Sequence, residues 1–227
     1  MKARTWVPLT AATLLLGTGC SGLAPGTAST VGDERISLAQ VEEVTAAQCE
    51  LAEQGVAAGQ AQVTSLATQK QQILRVLIDL RLNQQFAASQ DASAPAEVTQ
   101  YVVTQSTQGI EELPDGIAGV IGPVVEEIAE SQADLAQVAA DAAGEELSPD
   151  NLDQLIQAGL AQREEWQTGV EVVTDPRFGP DADGLPGAGD GSVSQAQSDF
   201  ARQAQQAASG EDPGFAAGLP PAQRCGG

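Results

Sequence analysis

The chain reads as a mainly α-helical domain with one small β element, in which an N-terminal hairpin pairs with a single strand returning late in the chain. Three observations lead there. Between Lys70 and Phe86, apolar residues at Ile73, Leu74, Val76, Leu77, Ile78, Leu80 and Leu82 cover more than one stripe of a helix, so this segment is the expected central strut. Two further runs, Ile117 to Val138 and Leu152 to Trp166, repeat apolar residues at helical spacing. Only Thr30 to Ile36 and Val170 to Thr174 are strand-like, and since a strand needs a partner the two ends of the domain are expected to close on each other as a small sheet.

The chain opens with Lys2 and Arg4 ahead of an apolar run, Trp6 to Leu16, which is too short to span a bilayer of about 30 Å. Residues 1–19 therefore read as a signal peptide. The sequence Leu15-Leu16-Gly17-Thr18-Gly19-Cys20 resembles a bacterial lipobox, with Gly17 where a leucine is usual, and it marks Cys20 as the expected site of lipidation. The alternative is ordinary secretory cleavage with an incidental Cys20. Small residues from 20 to 29 fit a tether between lipid and domain.

The domain is expected over residues 30–179. Gly32-Asp33-Glu34 should reverse the chain between two very short strands. Ser37, three residues before Gln40, predicts a capping box and a helix from Leu38 to about Gln54, stopped by Gly55 or Gly59. Thr64 or Ser65 caps the central helix, predicted over 66–89, within which Arg75 and Asp79 are spaced to pair. Pro95 opens a third helix with Ser93 as cap, carrying Val98, Tyr101, Val102 and Ile110 on one face. Pro114-Asp115-Gly116 turns into a long helix reaching about Ala143, with a kink or restart expected at Gly122 because Pro123 lacks an N–H. Ser148-Pro149-Asp150-Asn151 predicts the next helix start, and Gly169 its end. Residues 180–227 are Gly, Pro, Asp, Ala and Gln, an acidic low-complexity tail with a polar helix expected over 194–208 around Phe200. Asp181, Asp183 and Gly184 lack the remaining ligands of a calcium loop, so this stretch reads as a solvated linker and no metal or cofactor is expected.

Composition narrows the function. The chain has 227 residues, no histidine and a formal charge of -21. Removing the leader leaves 8 basic against 31 acidic side chains. Such a surface repels phosphate backbones and anionic headgroups, so nucleic acid is not an expected partner and membrane association must be covalent. Without histidine, and with no nucleophile beside a base, the chain is not expected to be an enzyme. Export would place Cys49 and Cys225 in an oxidising compartment, where two cysteines are more often paired than free. A Cys49–Cys225 bond is expected, drawing Leu219 and Pro220 onto the helices; the alternative is a buried Cys49 and a free, exposed Cys225.

The order of lipobox, Val31-Gly32-Asp33-Glu34-Arg35-Ile36-Ser37, an Ile-Leu-x-x-Leu-Ile helix and a returning strand with Asp175-Pro176-Arg177-Phe178-Gly179 resembles the N-terminal chaperone domain of the SurA/PrsA foldases. The likeness is to the short lipoprotein form of high-GC Gram-positive bacteria, matched also at Leu219-Pro220-Pro221-Ala222-Gln223-Arg224-Cys225-Gly226. It makes Val31, Gly32, Asp33, Ile36, Pro176, Arg177, Phe178 and Gly179 the motif residues. It implies an extracytoplasmic, lipid-anchored protein that binds unfolded or exported polypeptides in a groove between helices. Isomerase activity is not implied, since it belongs to a separate parvulin domain absent here. The competing expectation is a structural or partner-specific envelope lipoprotein whose apolar faces only form a core.

Overall fold

The computed structural model describes residues 23–187, 198, 199, 202, 203 and 214–226. The expected signal peptide, Cys20 and most of the polar helix expected over 194–208 lie outside the described residues.

The architecture is mainly helical with a small antiparallel sheet. β1 (Thr27–Val31) and β2 (Glu34–Ser37) form the hairpin, joined by Gly32 and Asp33. Gly32 has φ +55° at the first central position, where a type II′ reversal favours glycine. The hairpin starts three residues earlier than expected, taking Thr27, Ala28 and Ser29 out of the anticipated tether. The small side chains that fitted a tether here fit a buried strand, with Ala28 and Ser29 at zero exposure. β4 (Val172–Thr174) pairs with the outer side of β1, so the sheet runs β2-β1-β4 and the two ends of the domain close as expected. The Ser29 hydroxyl meets the Thr174 hydroxyl at 3.0 Å, a buried cross-strand pair.

α1 (Leu38–Ala57) follows β2 directly, and Ser37 Oγ accepts the Gln40 N–H at 3.1 Å, as the capping pattern predicts. It runs through Gly55 and yields only at Gly59, which takes φ +70°. β3 (Thr64–Ser65) leads into α2 (Leu66–Ser89), whose cap is Ser65, accepting from the Thr68 N–H. α2 is the strut: Leu74, Leu77 and Ile78 pack with Ala28, Val31, Ile36 and Val41 in one apolar cluster. Val76 is 41% exposed, on the one side of this helix left to water. Asp79 does not rely on Arg75; it meets Arg163 at 3.0 Å, which ties α2 to the fifth helix.

α3 (Ala96–Ser106) buries Val98 and Val102, while Tyr101 is 43% exposed and Ile110 sits in a separate 3₁₀ turn. Its start is not capped by Ser93. The N-cap is Pro95, with no side-chain cap bond, and Asp134 accepts the N–H of the preceding residue, Ala94, at 2.8 Å, tying the entry of the helix to α4. α4 (Asp115–Ala143) runs unbroken through Pro123, against the expected restart. Proline removes the bond to the carbonyl four residues back, that of Gly119, and both residues are exposed, so water can satisfy the freed carbonyl.

α5 (Leu152–Gln167) begins three residues later than the Ser-Pro pattern suggests. Asn151 Oδ1 accepts from the Ser148 N–H and hydroxyl, so Ser148 belongs to a turn that precedes the helix. Gly159 lies against α4, where a Cβ would stand 2.3 Å from the Leu135 carbonyl oxygen. With the alanines Ala129, Ala133, Ala136 and Ala140 on α4, it permits close helix contact. Phe86 and Trp166, with ring centroids 5.5 Å apart, fill the space between α2 and α5.

The region after Gly179 departs most from expectation. Its first residues fold back on the sheet, with Asp181 Oδ1 accepting from the Asp183 and Leu185 N–H groups. The last described residues instead follow the expected Cys49–Cys225 bond: β5 (Arg224–Cys225) pairs with β3, and Ala216, Leu219 and Cys225 are buried. Low apolar content made this tail look unable to order itself, but a carboxylate-centred turn and a covalent bond supply what burial does not.

Candidate functional site

The motif residues converge on one end of the domain, where they do structural work. Val31 and Ile36 are fully buried, and Phe178 joins them in the same cluster at 6% exposure. Asp33 is exposed at the hairpin tip. Pro176–Phe178 form a 3₁₀ turn, started by Asp175, whose carboxylate accepts the Arg177 N–H at 2.9 Å. The Arg177 guanidinium grips the same carboxylate with both oxygens engaged, at 3.0 and 2.8 Å. That side-chain pairing, ahead of the smaller opposing effect of burial, lowers the Asp175 pKa from 3.8. Gly179 has φ +57°, and a Cβ there would stand 2.9 Å from the Gly187 carbonyl oxygen.

Two glutamines on α2 hold this end together, and nothing in their sequence spacing marked them. Gln85 donates to the Val31 carbonyl at 2.9 Å, and Gln71 to the Phe178 carbonyl at 3.1 Å. Each satisfies a main-chain oxygen at a sheet or turn end that would otherwise need water. The signal available in the sequence was weak: a polar residue on a helix that is apolar nearly all round.

Against this clasp lies an open cleft of about 580 Å³. One wall is the outer side of β4 and the residues leading into it, Val170 to Thr174; the other is the turn from Pro180 to Leu185. Leu82 contributes from α2. Gly184, at φ +77°, rests on β4 so closely that a Cβ would stand 2.1 Å from the Val172 carbonyl oxygen. Glu171, Asp181 and Asp183 line the cleft, and among the described residues no lysine or arginine does. A smaller cavity of about 150 Å³ lies between Leu38, Glu42, Lys70, Arg177 and Phe178.

At the other end of α1, Cys49 and Cys225 form a disulfide with an S–S distance of 2.05 Å. Gly226 then packs on α1, where a Cβ would stand 3.2 Å from both Ala52 Cβ and Val56 Cγ2. Leu219 is buried as the tail crosses the domain, whereas Pro220 stays exposed. Cys20, the remaining cysteine, lies outside the described residues.

Among the described residues no cluster of three or more histidine, cysteine, aspartate or glutamate side chains could hold a metal. No described helix is long and apolar enough to cross a membrane. Comparison with protein families, curated proteins and solved structures finds no match.

Proposed function

We propose that this chain is a lipid-anchored extracytoplasmic protein that binds unfolded or exported polypeptides as a chaperone or assembly factor, with no isomerase activity of its own. The observation that carries the reading is the cleft beside β4, whose volume of about 580 Å³ lies in the range that buries several side chains. Its mixed apolar and acidic lining suits segments of varied sequence better than one small ligand. The Cys49–Cys225 bond supports an oxidising compartment, since such bonds are rare in reducing ones. The lipobox-like sequence ending at Cys20 supports a diacylglycerol anchor there, and the resemblance to the SurA N-terminal domain supports the chaperone role.

A structural or partner-specific envelope lipoprotein is the second reading. It is favoured by the use of the helix faces: among the described residues, Val76 and Tyr101 are the exposed large apolar side chains, so the helices spend their apolar surface on the core. The test is aggregation of a reduced, unfolded substrate in the presence of the mature protein. Slowed aggregation at substoichiometric ratios is expected; aggregation at the rate of the substrate alone would leave the second reading. The anchor is checked in parallel with Cys20→Ala, which should move the protein from the membrane fraction into the medium.

A further inference from the structure

We propose that the cleft outside β4 binds extended polypeptide through lysine or arginine side chains, with the adjoining backbone laid along the strand's free edge. This rests on the client-binding reading above and gives it a place and a ligand chemistry.

The first support is the strand register. The Gly32 N–H donates to the Glu171 carbonyl and the Asp175 N–H to the Ala28 carbonyl, both at 2.9 Å. In an antiparallel ladder the residues between such pairs turn their N–H and C=O away from the partner strand. Val172 and Thr174 therefore direct theirs to the outside, and β4 is the edge of the sheet. Among the described residues no hydrogen bond reaches those outward groups. Gly184 covers the Val172 carbonyl. The Val172 N–H and both main-chain groups of Thr174 make no hydrogen bond among the described residues, and both residues line the cleft, Val172 half-buried and Thr174 at 6% exposure. Edge strands of this kind are templates for an added strand unless covered.

The second support is the lining, which selects the occupant. Three carboxylates, with no cation among the described lining residues, disfavour an acidic segment and favour a basic one. Val170 and Leu185, both half-buried, supply apolar surface beside those carboxylates. Lysine and arginine match both features, because their methylene stems lie on apolar surface while their charged heads reach polar groups.

The experiment is fluorescence anisotropy of a labelled short peptide alternating valine with lysine, titrated with the full mature chain, beside a counterpart carrying glutamate for lysine. The same titration uses Glu171→Gln combined with Asp183→Asn, both at exposed positions, with a far-UV circular dichroism spectrum checking that the fold is kept. The lysine peptide should bind the parent, bind the double variant about threefold to tenfold more weakly, and be released by salt. Isotope-labelled protein should show the amide signals of Val172 and Thr174 moving on titration. Equal affinity for parent and double variant, or tight binding of the glutamate peptide, overturns the proposal. Slowed substrate aggregation together with either result leaves client binding standing at another surface, whereas loss of both activities removes the client-binding reading as well.

Discussion

Two places in the molecule bring distant parts of the chain together, and they do so by different chemistry. At the sheet, Ser29 and Thr174 lie 145 residues apart and meet across a ladder backed by Val31, Ile36 and Phe178. At the tail, Cys49 and Cys225 lie 176 residues apart and meet through sulfur, with two-residue strands and little buried besides Ala216 and Leu219. The sheet closure has enough apolar surface to outweigh the entropy of joining its ends; the tail has not, and a covalent bond removes that cost from the unfolded chain instead. A two-residue strand pairing is therefore tolerable at β5 where it would not persist alone.

The contrast can be broken at either closure. The largest effect should come from the sheet side: Phe178→Ala empties a site in the main cluster and should cost about 3–5 kcal/mol, measured by denaturant unfolding. A loss below about 1 kcal/mol would mean that the returning segment is not part of the core. On the tail side, Cys225→Ser should cost about 2–4 kcal/mol and leave residues 214–226 open to limited proteolysis while the helical domain resists. Continued protection of that segment in the variant would show that Leu219 and the short ladder hold it without sulfur.

The smallest effect compares two carboxylates with opposite signs. Asp175 has its pKa lowered from 3.8, chiefly by Arg177, so its contribution is present above that value and is lost as pH falls through the folded-state pKa. Asp134 has its pKa raised from 3.8, chiefly by burial, with the Ala94 N–H opposing. Its ionised form therefore carries a cost at neutral pH, which disappears as pH falls through the raised pKa towards the unfolded value. Asp134→Asn, which keeps an acceptor for the Ala94 N–H, should raise the melting temperature slightly at neutral pH, with the gain vanishing in acid. Asp175→Asn should do the reverse, lowering it at neutral pH and making no difference in acid. Matching signs for the two variants would refute this assignment.

The sequence was most readable where signals were local. Ser65 caps α2 and the helix occupies the predicted span, because a capping hydroxyl and a dense apolar run act within a few residues. The pairing of β4 with β1 was reachable by elimination, since no other stretch was strand-like. Gly159 shows the opposite case: a glycine inside a helix reads as a weak point until α4 is seen lying against it. Composition also misjudged the segment from Pro180 to Leu185, because one carboxylate taking two N–H bonds orders a turn without apolar burial. The cleft itself was not legible, being made of a strand edge and a turn whose contact depends on Gly184 fitting over a carbonyl. The disulfide was foreseen from compartment chemistry, but its effect on Gly226 and β5 depended on where α1 places Cys49.

The disulfide also imposes a chronology on the growing polypeptide. The strands of the sheet closure and the Phe178 that backs them have been synthesised once Phe178 has emerged, and the five helices precede that point. Cys225 emerges only later, so the helical body can assemble first and Cys49 spends that interval as an unpaired thiol. Oxidation then converts the chain from Cys49 to Cys225 into a covalent ring, leaving the β1–β2 hairpin as a branch outside it. A single peptide-bond cut anywhere within that ring leaves one connected molecule, which falls into two pieces only when the sulfurs are reduced.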